Sequence, residues 1–237
     1  MNSIMVVLKC ITNLHVGNGD VNYNIIDSEV EKDPVTGYPM INSSGVKGAL
    51  RAYFKSMNDP NVITWFGQEH NNAQNIQEGM LKIDDARMMA IPMRASKGDR
   101  AYRLVSTNDA IDKYNDIAAI FGLGTRIRDT KKPVSGIELE GYIAPMKLYD
   151  RDIYIISAAD MSEYSLPVNA RNCLDNGVSV NLWYEEYVPH ESMFYFPVIA
   201  DDPQVLNAFK GAIDNKVIQF GGHASIGYGF CKIKVEA

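Results

Sequence analysis

The last third of the chain constrains the fold most, because it reads without interruption as two β-rich runs, a capped helix and a closing strand. Val178 to Val188 and Met193 to Ala200 are rich in β-branched and aromatic residues, and Pro189, His190 and Glu191 between them predict an antiparallel hairpin. Asp201 or Asp202 caps a helix to about Asn215, with Pro203 in its first turn, where a missing N–H costs nothing. Phe230 to Val235 alternates as a final strand. The beginning repeats this order. Residues 3–13 are a β-branched apolar run, and a helix from about 44 to 57 follows. Ser43 or Ser44 caps that helix, and Val46, Ala49, Leu50, Tyr53 and Phe54 line one face of it. Leu81 to Met93 reads as the next strand. Strand, helix, strand, met twice, predicts an α+β fold with a ferredoxin-like (RRM-like) core.

Other segments are read as insertions on that core, about residues 16–40 and 92–177 of a single domain spanning 1–237. From Gly17 to Met40, turn residues alternate with acidic ones without a helical period, which predicts a long loop or exposed hairpin. Long loops in compact domains tend to be functional. Tyr102 to Ser106 reads as a strand, Asn108 to Phe121 as a helix, 122–133 as a basic loop, and 136–142 as a short strand or hairpin arm. No tandem repeat or linker marks a second domain.

The net charge of -6 argues against a nucleic-acid binder until the charges are placed. Residues 86–132 carry ten Lys/Arg against five Asp/Glu, whereas 133–208 carry three against twelve. One segment can therefore hold a polyanion while the whole chain stays acidic; the alternative is a solvated basic face. Cys10, Cys173 and Cys231 are odd in number and lack C-x-x-C spacing. They argue against a disulfide framework or a structural zinc site, and read as buried small apolar residues. No apolar run approaches the roughly 18 residues of a membrane helix, and the start lacks a signal-peptide pattern, so a cytoplasmic protein without membrane contact is expected.

Four clusters are candidates for chemistry. Ile41 to Arg51 places small residues, Ser44, Lys47 and Arg51 at a helix start. There free amides, the helix dipole and Lys47 together suit a phosphate, although the order is not that of a Walker loop. A capped amphipathic helix explains the same residues. Phe220 to Phe230 holds four glycines, among them Gly221 and Gly222. Four exceed what one turn requires, so close approach of a ligand is favoured over turn geometry. Asp27, Glu29, Glu31 and Asp33 share one side of an extended segment, as a solvated edge or as a place for a carboxylate to hold a divalent cation against a phosphate. His15 reads by itself as a packed, hydrogen-bonded histidine. In the Leu182 to Pro189 run, Glu185 shares a side with Trp183 and Tyr187 and opposes Glu186; a packing ladder is the simpler explanation.

Taken together, seven ordered segments resemble the Cmr4 family, the repeated backbone subunit of type III-B CRISPR effector complexes within the wider Cas7 group of RAMP proteins. They are 14–19, Ile26-Asp27 with Asp33 and 36–39, 44–51, Phe66-Gly67, Asp85 to Arg87 with Pro92 to Arg94, 182–189, and 221–229. The type III-A Csm3 subunit is the nearest alternative, and the W-Y-E-E-Y run favours Cmr4. A non-cutting RNA-binding scaffold and a small-molecule enzyme are the other classes, the latter without a nucleotide-cofactor fingerprint.

The resemblance implies a palm with finger and thumb insertions, assembled with further copies and other Cmr subunits into a helical filament on a guide RNA (crRNA). It also implies cleavage of complementary target RNA at regular intervals by metal-dependent 2′-hydroxyl attack, with Mg²⁺ or Mn²⁺. Asp27 matches the catalytic, metal-binding aspartate, and His15, Glu185 and Tyr187 match its helpers. Ser44, Lys47, Arg51, Arg94, Lys97, Arg100 and the loop at Gly221 and Gly222 are expected to hold the guide backbone, a contact blind to sequence.

Overall fold

The strand Asn2–Cys10 (β1) is apolar on both sides, so it has to lie between two packed layers: Ile4, Val6 and Leu8 enter one core, Met5 and Val7 another. The computed structural model describes residues 2–19, 25–68, 77–95, 100–124, 127, 146–148 and 151–236. After β1 come β2 (Met40–Ile41), α1 (Ser43–Ser56), α2 (Val62–Phe66), β3 (Lys82–Ile83), β4 (Ala86–Arg94), β5 (Tyr102–Ser106), α3 (Asn108–Ile120), β6 (Met146–Leu148) and β7 (Arg151–Ile155). Then follow α4 (Ala158–Ser162), β8 (Val168–Asp175), β9 (Val178–Glu186), β10 (Met193–Ala200), α5 (Pro203–Ile213), β11 (Val217–Gln219) and β12 (Phe230–Glu236).

The main sheet runs β11-β12-β1-β10-β4-β5-β7-β6. Its inner strands β12, β1, β10 and β4 are mutually antiparallel neighbours, joined in sequence as β1-α1-β4 and β10-α5-β12. That is the expected ferredoxin-like arrangement, widened past β4 by β5, β7 and β6. Helices α1 and α5 pack on one face through Val46, Leu50, Phe54, Leu206, Phe209 and Ile213. The opposite face carries α3, with Ile111, Tyr114 and Ile117 seated on Met5, Val7, Met89 and Tyr195. In an RRM this second face stays open for stacking bases. Here it is core, so that face is closed.

Several expectations are corrected. The runs at 178–188 and 193–200 do not pair with each other. β9 pairs with β8 in a separate two-stranded sheet, turning at Asn176–Gly177 with φ of 49° and 85°, while β10 lies between β1 and β4. The connection between them, residues 187–192, crosses from one sheet to the other. The expected strand Leu81 to Met93 breaks at Asp84–Asp85 into β3 and β4. Neither serine caps α1: Asn42 occupies the cap position without a side-chain bond, and Ser43 N–H donates instead to Asp85 Oδ1 at 2.7 Å. Cys10 and Cys231 are buried side by side across β1 and β12, but Cys173 is exposed on the hairpin. Asp202 does cap α5 as expected, and Thr107 caps α3. The possible strand at 136–142 and the basic stretch 128–133 lie outside the described residues. No helix among the described residues is long and apolar enough to cross a membrane.

An aromatic cluster centred on Phe54 holds α1 and α2 to α5. Its ring lies 4.8 Å from Trp65 and 6.2 Å from both Phe66 and Phe209. Phe54→Ala should therefore cost about 3–5 kcal/mol in denaturant-unfolding free energy, and a loss under about 1 kcal/mol would mean that the cluster collapses to fill the gap.

Candidate functional site

Past β1 the chain enters a short segment, Asn13 to His15, on which three loops converge. Leu14 exchanges 2.8 Å hydrogen bonds with Val188 in both directions. Gly222 N–H donates to the His15 carbonyl at 2.9 Å and Gly229 N–H to that of Asn13 at 2.7 Å. A Cβ on Gly221 would sit 2.2 Å from the His15 carbonyl oxygen, and one on Gly229 would sit 1.9 Å from that of Phe220. Both residues have positive φ, 72° and 82°. At these two glycines the close approach is to the protein's own backbone. What remains accessible is the loop's outer surface, where Gly221 and Gly222 are exposed.

His15 is buried. Its Nδ1–H donates to the Glu186 carbonyl at 2.7 Å, which leaves Nε2 to accept the Ser28 hydroxyl at 3.1 Å. Both ring nitrogens are therefore occupied, as for a packed histidine, and the ring fixes the residue that follows Asp27. Asp27 itself is exposed. Its N–H donates to the Tyr184 carbonyl at 3.0 Å, and its Oδ2 accepts the Tyr184 N–H at 2.8 Å. The segment at Asp27 is thereby fixed against the root of the β8–β9 hairpin with its carboxylate exposed.

Glu185 and Glu186 go to opposite sides, as alternation requires, and both are buried. Glu185 accepts from Trp183 Nε1 at 2.7 Å and Arg171 Nε at 2.8 Å, and lies 3.3 Å from His223 Nε2. Burial would raise its carboxyl, but those two hydrogen bonds and the charges of His223 and Arg171 outweigh burial and hold it below the ordinary value. Glu186 accepts from Val30 N–H at 3.0 Å and pairs with Lys32 at 3.0 Å. Tyr187 packs edge-on to Tyr228, and burial, with Tyr228 beside it, raises its phenol. It stays protonated at neutral pH and is a donor, not a base. The structure thus gathers Asp27, His15, Glu185 and Tyr187 at one hairpin root, and adds Arg171, His223, Tyr228, Ser28 and Lys32, which sequence reasoning missed. The signal for Arg171 was present: Asn176-Gly177 between two extended runs marks a hairpin that sets Arg171 opposite Trp183.

At α1, Ser44, Lys47 and Arg51 line one groove with Gly67 and Gln68. Two features depart from a free phosphate cradle. Asp85 already takes the first helix amide, and Arg51 Nη2 donates to the carbonyls of Phe66 and Gly67, at 2.7 Å for the latter, closing the end of α2. Ser44 and Lys47 remain on the outside. Arg94 is exposed at the end of β4, Lys97 lies outside the described residues, and Arg100 joins Arg103 and Arg151 around a separate cavity with Tyr102 and Tyr154.

Among the described residues no three His, Cys, Asp or Glu side chains cluster as metal ligands. Asp27, with one oxygen held by an amide, would supply a single protein ligand to a cation bound there. That donor set fits a Mg²⁺-like cation, which keeps several waters and binds through one or two carboxylates and substrate phosphates.

The sequence pattern of the RAMP superfamily matches residues 7–232. The CRISPR system Cmr endoribonuclease Cmr4 of Pyrococcus furiosus is 24% identical over 288 residues, covering 100% of this chain and 96% of the relative. The crystal structure of oligomeric Cmr4 from Pyrococcus furiosus superposes with a TM-score of 0.71 at 19% identity, covering 100% of this chain and 98% of that one. The type III-B Cmr-beta complex bound to cognate target RNA contains a chain with a TM-score of 0.70 at 18% identity, covering 99% and 97%.

Because Glu185 has a lower pKa folded than unfolded, its contribution to stability is complete above the ordinary carboxylate value and is lost as pH falls through the folded one. Thermal unfolding from about pH 7 to about pH 3 should show the wild type losing more transition temperature than Glu185→Gln over that acidic window. Parallel curves would mean that Arg171 and His223 do not hold the carboxylate in solution.

Proposed function

This chain belongs to the RAMP superfamily, and on that basis we propose that it is the guide-binding backbone subunit of a cytoplasmic type III-B CRISPR effector complex that cuts complementary RNA. It would assemble with further copies of itself and other Cmr subunits along a crRNA. The observation that carries this reading is Asp27, exposed yet fixed twice at Tyr184 on the hairpin root. A carboxylate so placed is rigid where a second strand is able to reach it.

The nucleophile already belongs to the target strand. Its 2′-oxygen bonds to the adjacent phosphorus, the P–O5′ bond breaks, the 2′-hydroxyl loses its proton and the 5′-oxygen gains one. The products are a 2′,3′-cyclic phosphate and a 5′-hydroxyl. Alignment of a displaced ribose supplies much of the rate, since in-line geometry converts binding into orientation. A Mg²⁺ or Mn²⁺ held by Asp27, phosphate oxygens and water would offset charge on the transition state. Tyr187, protonated, is the residue suited to donate a proton toward the leaving oxygen, a role typically worth about 10²- to 10⁴-fold. His15 and Glu185 support the reaction by holding Ser28 beside Asp27 and Arg171 on the hairpin, respectively. Guide binding falls to Ser44, Lys47, Arg94 and the exposed faces of Gly221 and Gly222, with Lys97 as a further candidate; Arg51 shapes the groove from within.

In the assembled complex Asp27→Ala should abolish cutting while guide and target remain bound, and chelator should stop the wild type. Unchanged cleavage in the variant rejects Asp27 as catalyst, and lost binding makes it architectural. Lys47→Ala should weaken guide association and make its salt dependence shallower by about one phosphate contact; an unaltered slope removes Lys47 from the guide-binding set.

A further inference from the structure

Cys10, the last residue of β1, stands directly opposite Cys231 of β12, and the Cys231 thiol donates to Cys10 Sγ at 3.7 Å. Both side chains are fully buried in the core that α1 and α5 cover. The main-chain groups of Cys10 turn the other way. Its N–H donates to the Ser192 carbonyl at 2.9 Å and its carbonyl accepts the Glu191 N–H at 2.8 Å, while the bond toward β12 is made by the next residue, Ile11, to the Phe230 carbonyl at 2.8 Å. Cys10 and Cys231 are therefore a cross-strand pair without mutual main-chain bonds, the kind whose side chains stand closer. Such pairs separate their Cα atoms by about 4.5 Å, inside the roughly 4.4–6.8 Å that a disulfide spans. The strands are already in register, so only the two sulfurs have to move.

From this geometry we propose that Cys10 and Cys231 are a site of reversible oxidation, at which hydrogen peroxide joins the two thiols into a disulfide that staples the first strand of the chain to the last. The proposal does not depend on what the chain binds or cuts. An odd number of cysteines leaves one over in any pairing, and Cys173, exposed on the hairpin, is that one. In the first step one sulfur gives up its proton and attacks a peroxide oxygen; the O–O bond breaks, a sulfenic acid forms and water leaves. The second sulfur then attacks the first, the S–S bond forms, the S–O bond breaks, and a second water carries away the remaining proton. Together the sulfurs lose two electrons, which the peroxide gains. The closed structure reacts slowly, because the thiolate is the reactive form and the contact with Cys231, together with burial, pushes the Cys10 thiol up. The edge of the sheet outside β12 is β11, three residues long, with Ile218 opposite Cys231. Local opening of so short an edge admits an oxidant of this size. Once formed, the bond joins residues 221 apart in the chain, and it stabilises by restraining the unfolded state, an effect that grows with the length enclosed.

The test uses the full chain carrying Cys173→Ser, so that the exposed thiol does not compete. After hydrogen peroxide, maleimide labelling in denaturant should find no free thiol where the untreated chain has two, and non-reducing peptide mapping should recover the segments around Cys10 and Cys231 joined. The transition temperature should rise by about 10 °C and fall back on addition of dithiothreitol. In the same background Cys231→Ala should show no such rise, and Cys10→Ala replaces it if that variant does not fold. Thiols that persist through peroxide, oxidation to sulfinic acids without a joined peptide, or joining that occurs only when the chain is oxidised in denaturant would overturn the proposal. So would a joined chain that melts no higher than the reduced one.

Discussion

The polar seam along Asn13 to His15 is the constraint on which the site depends. Three residues contribute main-chain bonds to the hairpin root and to the glycine loop, and the ring of the third reaches the Asp27 segment through Ser28. Buried polar groups of this kind are costly unless every member is satisfied, so the seam orders its surroundings as a unit. The glycines at 221 and 229 follow from it. A side chain at either would collide with backbone, and the loop would be pushed off the seam. The proton on His15 Nδ1 follows too, because the Glu186 carbonyl accepts only from an N–H.

The second consequence concerns which surfaces stay open. Once α3 covers the face of the sheet that an RRM leaves open, aromatic stacking on the sheet is lost. The exposed apolar surface is displaced to the hairpin, which stands in its own two-stranded sheet with Val178, Val180, Leu182 and Tyr184 in solvent. Isolated hairpins are marginal in water. This one is fastened at its root by the Arg171, Trp183 and His223 contacts to Glu185, and by the cation–π contact of Arg171 with Tyr228 at 5.0 Å. The apolar tip is thus held out by polar bonds at the base.

What was legible in the sequence follows the same division. α5 was readable because its end carries its own cap, Asp202, and β1, β10 and β12 because burial writes itself as apolar patterning. The start of α1 misled because its acceptor comes from Asp85, about 40 residues away in the chain, a tertiary substitute for a local cap. The hairpin was misassigned because its exposed apolar residues resemble a core strand, and its Asn-Gly turn carried the contrary signal. Asp27 was not distinguishable from a solvated edge by composition; only the ordered set of family segments raised it. In the glycine loop, Gly221 and Gly229 answer to the chain's own backbone, a demand that looks the same in sequence as close approach of a ligand.

Three carboxylates at the hairpin root differ in how their charge is met, and that difference separates support from reactivity. Glu185 has Arg171 and His223, and Glu186 has Lys32, so each buried anion brings a cation with it and adds little repulsion toward an approaching phosphate. Asp27 is bonded to an amide, a neutral donor that orients the group without cancelling its charge. An uncompensated anion beside a polyanion is unfavourable unless a cation is shared between them. On the function proposed above, such a site would be completed by substrate, with phosphate and cation arriving together at a carboxylate that Tyr184 holds in place.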